Sequence, residues 1–494
     1  MSVASSLERS RARARVREAG GDELLERLDH LDAVRAGRAP RGASRFPLSM
    51  DPHAPPAPPA VQHDDRFDYD VIVAGGGLWS VVAPLLAARG FKVAVLERTK
   101  VGAAHREWNA SRAELQTLVD TGIVESEEAL ESLVVARYDR GTCRFHGGGD
   151  YPVTGVLDRA VDAAELLQYA RRASERRGVD LLDGHSVLSH AANTHGVRVR
   201  VAQGSASREL TARVLVDARG ASSPYASADL VCPTVGGVVR GLTEGTGPRE
   251  MDPRVGEILA TIDGVDENGR QHVWEAFPGR PGETTVYLFY YGYSREPHDL
   301  ASLYARFFDW LPAYKGGEAE LLRPTFGFIP GWSRLVRGPE TGSRRVLLVG
   351  DAAARHSPLT YCGFGAALRS FQRCADSVVD VLEGVPAPRL PVDDAPVHRL
   401  TGALAHLIAS RVLRGQKLNA LLDAAFATLH AQGNDAYASL LKDSMSAHDF
   451  TRFLRGTAAR HPAVWSEALR GMGPLTMGRW GWGLVRSWAA SAQA

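Results

Sequence analysis

The chain has 494 residues, 44% hydrophobic and 23% charged, enough for two or three subdomains with separate cores. A net charge of +1 gives no support for a nucleic-acid partner. Four cysteines (Cys143, Cys232, Cys362, Cys374), without C-x-x-C spacing or His/Cys clustering, give none for a metal site and fit a reducing, cytoplasmic compartment.

The N-terminus is arginine-rich (Arg9, Arg11, Arg13, Arg15, Arg17). It also holds Glu8, Glu18, Asp22, Glu23 and Glu26, whereas transit peptides are poor in acids, so it reads as a helical preface. Leu24, Leu25, Leu28 and Leu31 recur at helical spacing and predict an amphipathic helix near 22–36. The proline-rich stretch 47–60 breaks any helix and reads as a linker. Tyr69–Ala74 then forms an apolar run suited to a buried parallel strand.

A glycine turn, Gly75-Gly76-Gly77-Leu78-Trp79-Ser80, follows that strand and opens a helix expected to run to about Gly90. Such a turn leaves helix N–H groups free to meet a pyrophosphate. Gly75 permits the tight turn, Gly77 allows close approach of backbone to phosphate, and Ser80 stands where the fingerprint has its third glycine. A second strand, Val93–Leu96, ends in Glu97, placed to accept a ribose hydroxyl. The unit therefore predicts a dinucleotide site; the other reading is a glycine-rich turn of some different α/β protein.

Further along, a helix is expected from about 160 to Gly178, and strands at 196–201 and 212–217. Residues 270–293 alternate as β structure, with Thr284, Val286, Leu288 and Tyr290 on one side. Residues 298–312 read as helix, Val346–Val349 as a buried strand, Gly365–Leu382 as helix, and almost everything beyond 400 as helix. Arg112 sits on an expected helix, where it would pair with phosphate or flavin or stand on the surface.

The stretch Arg345-Val346-Leu347-Leu348-Val349-Gly350-Asp351-Ala352-Ala353 resembles the second fingerprint of the glutathione-reductase-like flavoproteins. That resemblance implies FAD, with Asp351 on the ribityl chain; capping the next helix is its alternative role. Gly363-Phe364-Gly365 opens a helix whose N–H groups would reach the flavin. The strand ending Asp217-Ala218-Arg219-Gly220 resembles the one by which such proteins return to the nucleotide domain, so Asp217 and Gly220 join the expected cofactor residues. The implied fold is α/β (α+β): a Rossmann-like FAD domain (69–225 and 335–385) with an inserted antiparallel-sheet substrate domain (226–334). A helical extension (1–46), the linker (47–68) and a helical C-terminal region (386–494) complete it.

A narrower resemblance is carried by Arg106-Glu107-Trp108-Asn109-Ala110-Ser111-Arg112 and Val273-Trp274-Glu275-Ala276-Phe277-Pro278-Gly279. Gly350 to Gly365, Leu418–Phe426 and Gly433–Tyr437 extend it. Over roughly 65–470 the chain is similar to the CruA-type lycopene cyclases and their CruP-like relatives. That implies cyclisation of the ψ end groups of lycopene to β-ionone rings, with reduced FAD bound, NAD(P)H as electron source and no net redox change. Glu275 is then the expected acid or cation stabiliser, since burial among Trp274, Phe277 and Pro278 would keep a carboxyl neutral. A solvent-facing glutamate beside a buried tryptophan is the plainer reading.

A carotenoid partner implies peripheral contact with a bilayer. The segment Met477–Trp488 mixes tryptophans and arginines as interfacial segments do, though a packed tail would show the same residues. The alternatives are a prenyl or carotenoid reductase, a monooxygenase or halogenase (Phe326-Gly327-Phe328-Ile329-Pro330 loosely echoes W-x-W-x-I-P), or a non-catalytic flavin-binding protein.

Overall fold

The computed structural model describes residues 6–37, 58–62, 66–104, 107–226, 228–266, 268–333, 335, 345–353, 357–360, 362–389, 391, 396–414 and 416–491, so most of the proline-rich stretch lies outside them. The apolar run Tyr69–Ala74 forms the centre of a seven-stranded sheet. Parallel neighbours Val93–Glu97 and Ala206–Asp217 flank it, and Asp180–Asp183 lies beyond the first. The long strand Ala206–Asp217 is shared. Its early part pairs antiparallel with Val197–Gln203, and Leu215–Asp217 pairs in parallel with Val346–Leu348. Parallel strands from distant parts of the chain thus end side by side, and open α/β sheets bind ligands at that edge.

Val71, Val73, Val95 and Val214 pack under helices that include Ala163–Arg176 and Gly363–Leu382. Ile72, Leu96 and Leu215 on the opposite face meet Val187, Val199 and Val201. The element after the glycine turn is shorter than expected. Leu78–Val81 is a 3-10 turn and only Val82–Ala87 is α-helix, because the chain reverses at Gly90 (φ 88) to enter the next strand.

A second sheet, of eight strands, is largely antiparallel. Its order is Gly292–Tyr293, Leu230–Leu242, Glu283–Tyr290, His272–Pro278, Val255–Ala260, Arg140–Arg144 and Asp150–Val153, with Gly317–Gly331 also paired to Leu230–Leu242. The strands at 140–153 come from inside the segment assigned to the nucleotide domain, because Arg140–Arg144 pairs in parallel along the free side of Val255–Ala260.

Alternation across residues 270–293 decides which side chains face the interior on each side of this sheet. Val286, Leu288 and Tyr290 share a face with Trp274, buried beneath the helix Leu300–Tyr314, and Trp274 stacks on Tyr314 with centroids 4.6 Å apart. A strand turns successive side chains to opposite faces, so Glu275 points the other way. Helices beyond 396 pack on that other side around Phe426, Phe450 and Phe453.

The N-terminal helix spans Ser6–Arg35, starting well before residue 22, and breaks at Gly21 (φ 77). It folds back on itself there, so that Arg13 pairs with Asp29. Ala12, Val16 and Leu28 are buried against the Trp274 face. Asp32 caps the helix Leu300–Tyr314, accepting from the N–H groups of Leu300 (2.7 Å) and Ala301 (3.1 Å), and burial raises its carboxyl to about 7. At the other end, Pro474–Ser491 is helical despite Gly478, Gly481 and Gly483, and leaves Leu475, Trp482, Val485 and Trp488 exposed. Among the described residues no helix is long and apolar enough to cross a membrane.

Candidate active site

The glycine turn is built from three glycines with three different reasons. Gly75 has φ 120, and a Cβ there would lie 2.5 Å from the carbonyl oxygen of Ala218. At Gly76 a Cβ would press on the Glu97 side chain at 2.8 Å. Gly77 is different: nothing lies within 4 Å of its Cβ position, so the protein's own packing does not require glycine there. Space left open at a phosphate-type turn is space a ligand can use. Glu97 holds the turn, accepting from Gly76 N–H (2.9 Å) and from the Thr99 N–H and hydroxyl (3.0 Å each). Ser80 is buried in the following 3-10 turn, where its small side chain packs inward.

The turn leads to a cavity of about 720 Å³ between the two sheets, within the range of about 300–1,000 Å³ typical of ligand sites. Leu78, Trp79, Arg98, Gly220, Asp351, Gly363 and Phe364 line it from the nucleotide side. Cys232, Thr234, Glu275, Phe277, Tyr287 and Phe289 line it from the second sheet. Gly350 (φ 57) could carry no side chain, since a Cβ would meet the Trp79 indole nitrogen at 2.7 Å. Phe364 lies on Trp108 at 4.9 Å, so the helix Gly363–Leu382 begins beside an aromatic pair. Gly363 again has open space at its Cβ position. The Asp351 carboxylate and the Arg98 cation on the cavity wall, with the open space at Gly77 and Gly363, fit a dinucleotide with a planar ring.

Asp217 and Arg112, both expected at the cofactor, have their side chains engaged within the protein, and Gly365 has a packing reason to be glycine. Asp217 is fully buried, and its carboxylate accepts from Arg219 Nε (3.0 Å) and Nη2 (2.7 Å) and from the Ser223 hydroxyl (2.7 Å). It fixes the turn that carries Gly220 to the cavity wall. Burial alone would raise the Asp217 carboxyl, but the adjoining guanidinium outweighs it and holds the group below its usual range. Arg112 does not line the cavity; it bonds Gln116 (2.6 Å) and Glu127. Gly365 is glycine because a Cβ would lie 2.6 Å from the Glu114 carboxylate, which pairs with Arg369.

Glu275 is the unusual group. It pairs across the strands with Tyr287, and both face the cavity. No hydrogen bond or ion pair to Glu275 occurs among the described residues. Burial, with no cation to offset it, raises its carboxyl to about 8. The side chain retains some accessible area because it opens onto the cavity. At neutral pH such a group is a carboxylic acid with a proton to give.

Sequence reasoning missed several wall residues. Arg27, His30 and Leu31 come from the N-terminal helix, which no local motif ties to the site. Trp79 and Tyr287 also line it; the signal for Tyr287 was its period-two placement opposite Glu275.

No family model matches the chain, nor does any curated protein sequence. Solved structures do. A geranylgeranyl bacteriochlorophyll reductase-like protein from Thermoplasma acidophilum matches at TM-score 0.52 and 16% identity, over 82% of this chain and 99% of that one. A flavoprotein/dehydrogenase from Cytophaga hutchinsonii matches at 0.52 and 16%, over 76% and 92%. The halogenase PltM, a mutant of which was solved in complex with FAD, matches at 0.54 and 13%, over 86% and 92%. At these identities the likeness establishes the fold, and the fold is that of the Rossmann-type flavoproteins.

Proposed function

We propose that the chain is an FAD-dependent enzyme that delivers a proton from Glu275 to an alkene of an apolar isoprenoid, cyclising the ψ end groups of a carotenoid such as lycopene. The observation that carries this reading is Glu275: a carboxylic acid, unpartnered among the described residues, on a stretch of cavity wall shared with Phe277, Tyr287 and Phe289. The resemblance of the Trp108-Asn109 and Trp274-Glu275 segments to CruA-type cyclases supports it. Gly75, Gly77, Glu97, Gly220, Asp351, Gly363 and Phe364 would hold the cofactor, with Ser80 packing beneath the turn. When bound, reduced FAD supplies negative charge beside the substrate, or reducing equivalents in a reductase, with NAD(P)H as the external reductant.

The protein's own part is proton handling. The Glu275 carboxyl gives its proton to the terminal alkene, and the neighbouring alkene closes the ring carbon–carbon bond. A proton then leaves the adjacent carbon and returns to the carboxylate formed on Glu275, so the substrate's composition is unchanged. The apolar walls keep water from quenching the cation.

A second reading, a prenyl or carotenoid reductase, is favoured by the likeness to the geranylgeranyl bacteriochlorophyll reductase-like fold. It uses the same acid but adds two hydrogens to the product. Either substrate resides in bilayers. The exposed Leu475, Trp482, Val485 and Trp488, with Arg479 and Arg486 on the same helix, suit peripheral contact with an anionic surface.

Expression in a lycopene-accumulating bacterium tests the reading by pigment analysis. New β- or γ-carotene is the expected result. Saturated carotenoids would move the assignment to the reductase, and unchanged lycopene with FAD-loaded protein present would exclude the cyclase and any carotenoid reductase.

A further inference from the structure

The cavity-facing side of the second sheet can be read row by row from its register. Glu275 pairs with Tyr287, Tyr287 with Gly236, and Gly236 with Thr325. Two residues along, on the same face, Val273 pairs with Phe289, Phe289 with Thr234, and Thr234 with Gly327. Gly327 therefore lies three strands from the Glu275 strand, about 14 Å across the sheet at roughly 4.8 Å per strand.

The glycines of this sheet are not alike. A Cβ at Gly236 or Gly237 would fall 2.0 Å or 2.1 Å from a backbone carbonyl oxygen, so close strand packing demands glycine at both. At Gly327 a Cβ would meet nothing within 4 Å, and its φ lies outside the left-handed region. Neither backbone nor packing explains a glycine there, and glycine weakens a strand interior unless something must approach closely. Gly327 itself lines the cavity, as do Thr325 and Ile329 on the same face of its strand.

We propose that Gly327 is a specificity-determining residue: it keeps open the part of the cavity remote from Glu275, where the chain of a linear apolar isoprenoid lies while its end group reaches the acid. This rests on the proposed function and narrows its substrate class to molecules longer than a single end group. Tyr287 and Phe289 form the floor between the two points, so the bound chain runs across the strands over aromatic rings. A short terpenoid would occupy the Glu275 end and leave the space over Gly327 empty.

The test compares wild type, Gly327→Ala and Gly327→Leu, each purified with its flavin, using geranylgeraniol and geraniol as long and short probes. Binding is read from quenching of the cavity tryptophans Trp79 and Trp108, and FAD content from flavin absorbance. Gly327→Leu is expected to weaken geranylgeraniol binding by about tenfold or more, as pocket-filling methylenes do, with geraniol binding and FAD content unchanged. Gly327→Ala, one methyl in open space, is expected to lose less. Wild-type affinity for geranylgeraniol in Gly327→Leu would overturn the inference alone. Loss of FAD from that variant would assign the space to the cofactor and overturn it as well. Failure of the wild type to bind either probe would remove both the inference and the reading beneath it.

Discussion

Glu275→Gln is expected to keep its flavin and its fold while turnover falls by about 100- to 10,000-fold, the usual contribution of a positioned general acid. Gln preserves size and placement opposite Tyr287 but has no acidic proton. Stability should not fall with it. A carboxyl with an ordinary value near 4.5 that rises to about 8 on folding binds more protons folded than unfolded between those values. Wild-type stability therefore declines as pH rises through that window, and the amide escapes the decline. Equal melting temperatures near pH 4 and a higher one for the variant near pH 8 are expected. The wild-type rate should fall as pH passes about 8, where the acid ionises. A fully active Glu275→Gln protein would remove Glu275 from the chemistry.

Asp217→Ala is expected to be the most destabilising single change in the nucleotide domain. The carboxylate is wholly buried and Arg219 nearly so, at 10% side-chain exposure. Removing one partner strands the other, which costs about 3–5 kcal/mol, against a total stability of about 5–15 kcal/mol for a typical domain. The Ser223 hydroxyl loses its acceptor too, and the turn bearing Gly220 loosens at the cavity wall. The pH dependence has a definite sign. Because the folded carboxyl lies below its unfolded value, its contribution is present above the unfolded value and is lost as pH falls through the folded one. The alanine variant should thus show a shallower loss of stability on acidification. Denaturant titration of both proteins at neutral and acidic pH measures this; a loss under about 1 kcal/mol at neutral pH would show that the pair is not the strut described.

The two outcomes separate what can be read from the chain alone. The strand, glycine turn and second strand from Tyr69 to Glu97 are legible because every contact that defines them is local. Asp217 is legible in place but not in role: the motif marks the strand end, whereas Arg219 and Ser223 claim its carboxylate through a turn that folds back within six residues. Arg112 could not be read, because Glu127 reaches it from the next helix. The shielding of the Glu275 carboxyl was legible from its apolar neighbours. Its lack of a partner was not, since that depends on which residues from far along the chain, such as Cys362 and Phe364, share the cavity with it. The wall supplied by Arg27, His30 and Leu31 is illegible for the same reason. An amphipathic stripe says that a helix will bury one face but not which sheet it will cover.

The most direct measurement is the isotopic content of the product formed in deuterated water. If Glu275, exchanging with solvent, protonates the alkene and the substrate's composition is otherwise unchanged, each ring closed from lycopene will carry one solvent deuterium. In ordinary water the product will have the mass of the substrate. A product heavier by two hydrogens per reacted alkene, or one that acquires no solvent deuterium, would contradict the account.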